Sequence, residues 1–178
     1  MGPEAAPKNL TDAEPRCMDG GGAICAVAAR GVESNDKRRY ALAERGCATG
    51  SRASCEIKWI AQSKGYGTKA DAKGARAAAT AACDAKDPHG CYALAVMYEV
   101  LFHAENKDNV RAIEKYTWAC ENGYGRACYD LAVIATSGRG DTPKDLKRAM
   151  EHHKRACSLK FKTSCLKIST LAKQIAAP

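Results

Sequence analysis

The sequence predicts an all-α fold, a solenoid of about five stacked helical hairpins. Its ten cysteines fall into five consecutive C-x7-C pairs, and the first cysteines of successive pairs are 30, 36, 37 and 37 residues apart. The pairs are Cys17 with Cys25, Cys47 with Cys55, Cys83 with Cys91, Cys120 with Cys128, and Cys157 with Cys165. The segments between pairs carry apolar residues at helical spacing. A repeat of this length is typical of solenoids, in which each unit is a pair of helices.

Each cysteine pair is expected to form a disulfide across an αα-hairpin. Two residues eight positions apart on one helix are separated by about 12 Å, whereas a disulfide needs Cα atoms within about 4.4–6.8 Å. The chain must therefore reverse between the two cysteines. The intervening segments are MDGGGAI, ATGSRAS, DAKDPHG, ENGYGRA and SLKFKTS. The first four contain glycine, as turns do, while the turn in the last rests on analogy. Each bond would contribute ~2–3 kcal/mol in the chain-entropy model.

Zinc binding and free thiols are the competing interpretations of the cysteines. Structural zinc sites favour ligands about two to four residues apart, and no such spacing occurs here. The histidines His89, His103, His152 and His153 do not recur with the repeat. Free thiols would suit a reducing compartment, but an even count in equal pairs favours an oxidising one. We therefore predict no metal, no cofactor, and a periplasmic or extracellular location.

The helices follow in order along the chain. We predict them at 36–47, 53–64, 70–83, 89–102, 107–120, 126–137, 144–157 and 163–174, with weaker helical structure before Cys25. Gly138-Arg139-Gly140 separates two of them. An acidic residue, a small alanine and a cysteine recur at fixed offsets, as Asp145, Ala149 and Cys157. The acidic residue lies near a helix start, where the helix dipole favours it.

The same offsets recur as Asp108, Ala112 and Cys120, and as Asp71, Ala75 and Cys83. Small alanines at these positions allow neighbouring helices to approach closely. We assign 17–178 to one repeat domain and 1–16 to an N-terminal extension, partly disordered or capping.

The stretch LAVIATSGRGDTPKDLKRAMEHHKRAC, from Leu131 to Cys157, resembles the Sel-1-like repeat, a relative of the tetratricopeptide repeat. The C-x7-C pairs are similar to the disulfide-bridged subgroup found in the Helicobacter cysteine-rich proteins. The resemblance is close from Cys83 to Cys165. It implies a right-handed α-solenoid that acts as a protein–protein interaction scaffold. Because some bacterial immunity proteins resemble this family, a specific form is an inhibitor that caps a secreted toxin.

The positive charge of the chain is concentrated in its last fifth. The net charge is +8, and residues 144–178 contain nine Lys or Arg against Asp145 and Glu151. Such a basic end attracts anionic partners, although a solvated face that aids solubility is the alternative. The candidate partner-binding residues are Lys147, Arg148, Lys154, Arg155, Lys160 and Lys162. We predict an acidic protein partner and no nucleic acid, since exposed aromatic residues interleaved with the basic ones are scarce.

An enzymatic alternative also comes from the resemblance, because some cysteine-rich relatives are described as penicillin-binding or weak β-lactamase proteins. Such enzymes use an S-x-x-K motif with S-D-N and K-T-G elements. Ser164 and Lys167 form such a motif, but neither companion element is present. Ser164 and Lys167 are therefore the candidate catalytic residues of the alternative, while the main prediction is a protein without enzymatic activity.

The N-terminus and the hydropathy of the chain bear on its location. No apolar run reaches the ~18 residues that cross a bilayer. The start MGPEAAPKNL has no apolar core of a signal peptide, and Ala6 does not fit the myristoylation pattern. We expect that a signal peptide has been removed or replaced, and an upstream lipid anchor stays open.

Overall fold

The computed structural model describes residues 13, 16–17, 22–31, 35–101, 108–138 and 142–176, and none of these lies in a β-strand. The helices are α1 (Gly22–Gly31), α2 (Asp36–Ala48), α3 (Arg52–Lys64), α4 (Ala72–Asp84), α5 (Pro88–Leu101), α6 (Asn109–Glu121), α7 (Gly125–Ser137), α8 (Leu146–Ser158) and α9 (Lys162–Ala176). The all-α prediction is confirmed. Each predicted helix begins and ends within two residues of one of α2–α9. The predicted last residue of one helix, 102, and the predicted first residue of the next, 107, lie outside the described residues.

Helix α1 differs from the prediction, which gave only weak helical structure before Cys25. The helix begins at Gly22 and continues to Gly31. Ala26, Ala28 and Ala29 on it are buried, and it packs against α2 and α3. Alanine has the highest helix propensity but produces a weak apolar stripe. This segment therefore forms a helix without showing a clear helical period.

The chain divides into two compact units, Met1–Ala82 and Cys83–Pro178. In the first unit, α2 packs against α3 as well as against α1. Its core combines Cys17 and Cys25 with Leu42, Ala43 and Ile57. A disulfide and small alanines thus occupy the place that larger side chains take in other cores.

In the second unit, each helix from α5 to α8 packs against the next helix along the chain, which ends with α9 among the described residues. One part of its core consists of Ala135, Ala149 and Leu171, with Met150 and Ile175 packed against them. This pattern of neighbour contacts is that of stacked helical hairpins. The predicted division of the chain at residues 16 and 17 stays a prediction.

All five predicted disulfides are present, and they link every cysteine of the chain. Their Cα–Cα distances lie between 4.4 and 4.8 Å. Each of the last four joins the end of one helix to the first turn of the next, at α2–α3, α4–α5, α6–α7 and α8–α9. The prediction that each pair closes a hairpin is confirmed there. The bonds join Cys17 to Cys25, Cys47 to Cys55, Cys83 to Cys91, Cys120 to Cys128, and Cys157 to Cys165.

The two disulfides of the first unit differ in burial. Cys17 and Cys25 are fully buried, whereas Cys47 and Cys55 are half-buried. Cys55 lies in the first turn of α3 and bonds to Cys47 in the last turn of α2, with a Cα–Cα distance of 4.4 Å. This bond therefore closes the α2–α3 hairpin at the margin of the core, as predicted, while the Cys17–Cys25 bond lies within the core.

The last four turns share one backbone conformation. The third residue after the first cysteine has a positive φ in each turn: 85° at Gly50, 63° at Lys86, 90° at Gly123 and 67° at Lys160. Its N–H donates to the carbonyl of that cysteine, at 3.2 Å for Gly123 and 2.9 Å for Lys160. The turn in SLKFKTS, predicted only by analogy, is therefore the same turn with lysine in the left-handed position.

The recurring acidic residues are helix N-caps. The carboxylate of Asp145 accepts the backbone N–H of Arg148 at 2.9 Å, and that of Asp108 accepts the N–H of Arg111 at 3.4 Å. Asp71 does the same at the start of α4. The alanines four positions later, Ala75, Ala112 and Ala149, are at most 1% exposed. The repeat thus fixes both the start of each helix and the residue through which it packs.

Candidate partner-binding surfaces

The structure places the predicted partner-binding cations on α8, on α9 and in the turn between them, which we call the basic hairpin. All six side chains are exposed: Lys147, Arg148, Lys154, Arg155, Lys160 and Lys162. Helix α8 buries Ala149, His153 and Ala156, so its opposite side is left to the cations. A helix of 13 residues is about 20 Å long at a rise of 1.5 Å per residue. The cations therefore form an extended surface.

Arg155 differs from the other five because its guanidinium binds the end of a neighbouring helix. Its Nε donates to the carbonyl of Cys120 at 3.4 Å, and an Nη donates to the carbonyl of Glu121 at 3.1 Å. These carbonyls belong to the last turn of α6, where a helix has no internal donors for them. Arg155 thus holds α8 against α6, and its charge lies at the negative end of the α6 dipole.

The outer face of α9 extends the basic surface. In the two preceding hairpins the residue after the second cysteine is Tyr92 or Tyr129, and each packs against aromatic rings of the hairpin that follows. The equivalent residue on α9 is Leu166, which is 77% exposed. Lys162 and Lys173 are exposed on the same helix. This face is therefore polar and cationic around one apolar side chain.

The candidate catalytic residues Ser164 and Lys167 are in different environments. Ser164 is fully buried, and its Oγ lies 3.2 Å from Nδ1 of His153, whereas Lys167 is exposed. Burial, and secondarily the charge of Lys167, lower the pKa of His153. Ser54 and Ala127, at the equivalent repeat position, are also fully buried. The geometry thus gives Ser164 a role in packing α9 against α8.

A small cavity lies beside the basic hairpin and contains Arg148 in its lining. Its volume is about 70 Å³, and it is lined by Ile113, Leu131, Ile134, Ala135, Thr142, Pro143, Asp145, Arg148 and His152. The aliphatic residues lie on α6 and α7. Thr142 and Pro143 precede α8, Asp145 is its N-cap, and Arg148 and His152 lie on the helix itself. Burial, followed by the positive charge of Arg148, lowers the pKa of His152, so this rim histidine is neutral at physiological pH.

A second surface surrounds Trp118, and we call it the Trp118 groove. It is an open groove of about 370 Å³ lined by Cys83, Asp84, Lys86, Cys91, Glu114, Lys115, Thr117, Trp118 and Glu121. The ammonium of Lys86 lies 5.8 Å from the centre of the Trp118 ring, within cation–π range. Lys115 pairs with Glu114 at 3.0 Å. Carboxylates outnumber amines in this groove, in contrast to the basic hairpin.

Neither the cavity nor the Trp118 groove was predicted from the sequence. Trp118 lies two positions before a first cysteine, the same repeat position as Arg155 and Ala81. An aromatic residue at a position that carries Arg45, Ala81 and Arg155 in the other hairpins from Cys47 onward is the signal that points to the groove. The cavity has no such signal, because its lining comes from three helices and a loop.

Two further features were sought in the part of the chain that the structure describes, a metal site and a membrane-spanning helix. No group of three or more His, Cys, Asp or Glu side chains there is arranged to hold a metal ion. Within the same residues, no helix combines the length and the apolar character needed to cross a membrane.

Comparison with known proteins identifies the fold. No protein-family model matches the sequence, and neither does any curated protein. A solved structure of a Sel1 repeat protein from Oxalobacter formigenes is similar, with a TM-score of 0.61 and 18% identity over 95% of this chain and 70% of that chain.

A protective antigen present in uropathogenic Escherichia coli strains, which displays an SLR fold, is also similar. The TM-score is 0.60 with 16% identity over 94% of this chain. This chain spans 37% of the length of that protein. At these identities the likeness establishes the fold, that of Sel1-type repeats, and the resemblance seen in the sequence is confirmed at that level. The narrower likeness to the Helicobacter cysteine-rich proteins stays a prediction.

Proposed function

We propose that this protein is a protein–protein interaction scaffold of an oxidising compartment, the periplasm or the cell exterior, and that its basic hairpin binds an acidic segment of a partner protein. The observation that carries the proposal is the row of exposed cations along α8 and into α9. It lies on a hairpin closed by the Cys157–Cys165 disulfide. A rigid surface loses little conformational entropy on binding, which favours affinity.

The oxidising location is supported by the cysteines. All ten are paired, and such bonds persist outside the reducing cytoplasm. Four of the five disulfides close turns between successive helices, so each of these repeats depends on its own bond. The Sel1-type fold supports the interaction role, because stacked hairpins present long solvent-facing helix surfaces to partners.

Peptide selection on the purified, oxidised protein tests the proposal. A random displayed peptide library is selected against the wild-type protein and against a variant with Lys147, Lys154, Lys160 and Lys162 changed to Glu. Arg155 is left intact because it binds α6. We expect the wild type to enrich acidic peptides and to bind them more weakly as the salt concentration rises. The variant should not bind these peptides.

A charge-matched variant controls for net charge alone. Lys37, Arg52, Lys69 and Lys73 lie in the first unit and are exposed. Changing these four to Glu alters the net charge equally and should leave peptide binding almost unchanged. Equal loss of binding in both variants, or no enrichment of acidic peptides, would refute the role of the basic hairpin.

A specific form of the proposal is an immunity or inhibitor protein whose partner is a secreted toxin. Such a partner is met outside the cytoplasm, where the disulfides persist. Co-expression with the products of neighbouring genes and capture on the oxidised protein tests it. A captured product that is toxic alone and harmless in the complex supports this form. Capture that persists after charge reversal of the basic hairpin contradicts the proposed contact.

A further inference from the structure

The cavity beside Arg148 is enclosed by apolar side chains and opens at a polar rim. Ile113 on α6 and Leu131, Ile134 and Ala135 on α7 form its apolar part. Leu131, Ile134 and Ala135 are at most 7% exposed, so they are fixed parts of the core of the second unit. The site is therefore present before any partner binds.

The size of the cavity selects the kind of group that fits. An apolar cavity of about 150 Å³ accommodates a benzene ring, and this cavity measures about 70 Å³. It suits a branched aliphatic side chain such as valine or leucine and is too small for an aromatic ring. An aliphatic group that leaves water for such a site gains free energy in proportion to the apolar area buried.

One cation in the lining, Arg148, can pair with a carboxylate next to that side chain. The Arg148 side chain is exposed, and the structure records no ion pair between it and a described carboxylate. Asp145 is the acidic residue in the lining, but its carboxylate already accepts the backbone N–H of Arg148 at 2.9 Å as the N-cap of α8. The adjoining N-terminus of α8 adds partial positive charge. His152, neutral at physiological pH, adds none.

We propose that this cavity binds a valine or leucine side chain of the partner's acidic segment, with a neighbouring Asp or Glu carboxylate paired to Arg148. This inference rests on the proposed function and names the chemistry of the segment. Arg148 and Lys147 are consecutive on α8, and Lys154 lies two turns further along. A single extended segment can therefore pair with the basic hairpin and place one aliphatic side chain in the cavity.

Two synthetic peptides test the inference, one a short Asp/Glu sequence with a central Leu and the other with Ser in its place. Affinity is measured by fluorescence anisotropy on the oxidised full chain. We expect the Leu peptide to bind about tenfold more tightly, the ratio that partial burial of one aliphatic side chain provides. Ala135→Leu, which fills the cavity, should abolish this ratio while both peptides still bind with salt-dependent affinity.

Further variants separate the outcomes. Ile113→Phe fills the cavity from α6 and replaces Ala135→Leu if the latter fails to fold. Arg148→Ala should weaken both peptides more than its neighbour Lys147→Ala. Equal affinity of the two peptides for the wild type, with loss of both after charge reversal of the basic hairpin, overturns the cavity proposal and leaves the proposed function standing. Binding of neither peptide overturns both.

Discussion

At the residue scale, one left-handed backbone position in the hairpin turn is occupied by glycine in some turns and by lysine in others. Gly50 and Gly123 occupy the left-handed position in two turns, and Lys86 and Lys160 in the other two. A side chain in this conformation costs roughly 1–2 kcal/mol relative to glycine. No atom lies within 4 Å of a Cβ built on Gly123, so a substitution there would meet no steric obstacle. The cost of a side chain in this position is therefore one of backbone conformation.

We predict that Lys160→Gly raises the free energy of unfolding by about 1 kcal/mol because it removes this strain. Gly123→Lys, the reciprocal change, should lower it by a similar amount. Urea unfolding of the oxidised proteins, followed by circular dichroism, measures both. A loss of stability in Lys160→Gly would show that the lysine side chain makes a compensating contact.

Ser164 decides whether the S-x-x-K motif has a catalytic role. Its hydroxyl is fully buried and paired with His153. A buried hydroxyl cannot reach the carbonyl of a β-lactam. We therefore expect that any nitrocefin turnover by the purified protein is the same in wild type and in Ser164→Ala. Turnover that disappears in Ser164→Ala, with the helical signal retained, would establish the enzymatic alternative.

The two histidines of α8 make stability depend on pH. The pKa values of His152 and His153 are lowered by burial and by neighbouring positive charges. The unfolded chain, with an ordinary histidine pKa of about 6.5, therefore binds protons at pH values where the folded chain does not. The resulting stabilisation is complete above the unfolded pKa and is lost as pH falls below it.

We predict that the urea concentration at the unfolding midpoint decreases when the pH is lowered from about 7.5 to about 5.5. This interval spans the ordinary histidine pKa. The fall should be smaller when both residues are glutamine, which retains hydrogen-bonding groups without titrating. An equal fall in both proteins would assign the pH dependence to other groups.

At the element scale, Arg155 shows that an exposed cation can belong to the scaffold. Its two hydrogen bonds to α6 cannot be predicted from a sequence pattern, because the acceptors are backbone carbonyls 34 and 35 residues away. Its repeat position carries Ala81 and Trp118 in other hairpins. Where this position is Trp118, its ring lies 5.8 Å from the ammonium of Lys86 instead.

We predict that Arg155→Ala lowers the free energy of unfolding by about 1.5–3 kcal/mol, the range for hydrogen bonds to a charged group. The adjacent Lys154→Ala removes the same charge and should change stability by less than about 0.5 kcal/mol, as exposed substitutions do. For peptide binding the order should reverse, with Lys154→Ala the more harmful. Equal stability of the two variants would show that Arg155 has no structural role, and Arg155 would then count as a partner-binding residue like the other five.

The sequence predicted the elements better than the surfaces, for physical reasons. The helices α2–α9 follow from apolar periodicity, N-cap residues such as Asp145, and turn residues such as Gly123, all of which act locally. Helix α1 was predicted only as weak helical structure before Cys25, because its alanines give a weak amphipathic pattern. The cavity and the Trp118 groove could not be predicted because their linings combine residues from separate elements. The exposure of the six cations was predictable, but the hydrogen bonds of Arg155 were not.

At the scale of the whole molecule, stability is divided between small apolar cores and the disulfides. Many of the buried side chains are alanine or cysteine, which bury less apolar area than leucine or phenylalanine. In the chain-entropy model each eight-residue loop is worth about 2.5 kcal/mol. Five such bonds together reach the order of 10 kcal/mol, comparable with the ~5–15 kcal/mol total stability of an ordinary domain. The disulfides are therefore a large part of what keeps the helices folded.

We predict that reduction and alkylation of all ten cysteines removes most of the helical circular dichroism signal and the cooperative thermal transition. Partial reduction should begin at Cys157–Cys165, because Cys165 is exposed while Cys91, Cys120 and Cys128 are at most 2% exposed. Alkylation followed by mass spectrometry gives the order, and limited proteolysis of the reduced chain confirms unfolding. A reduced protein that keeps its helices and melts cooperatively would be able to work in a reducing cytoplasm. That result would remove the argument for an oxidising location while leaving the acidic-partner proposal to its own test.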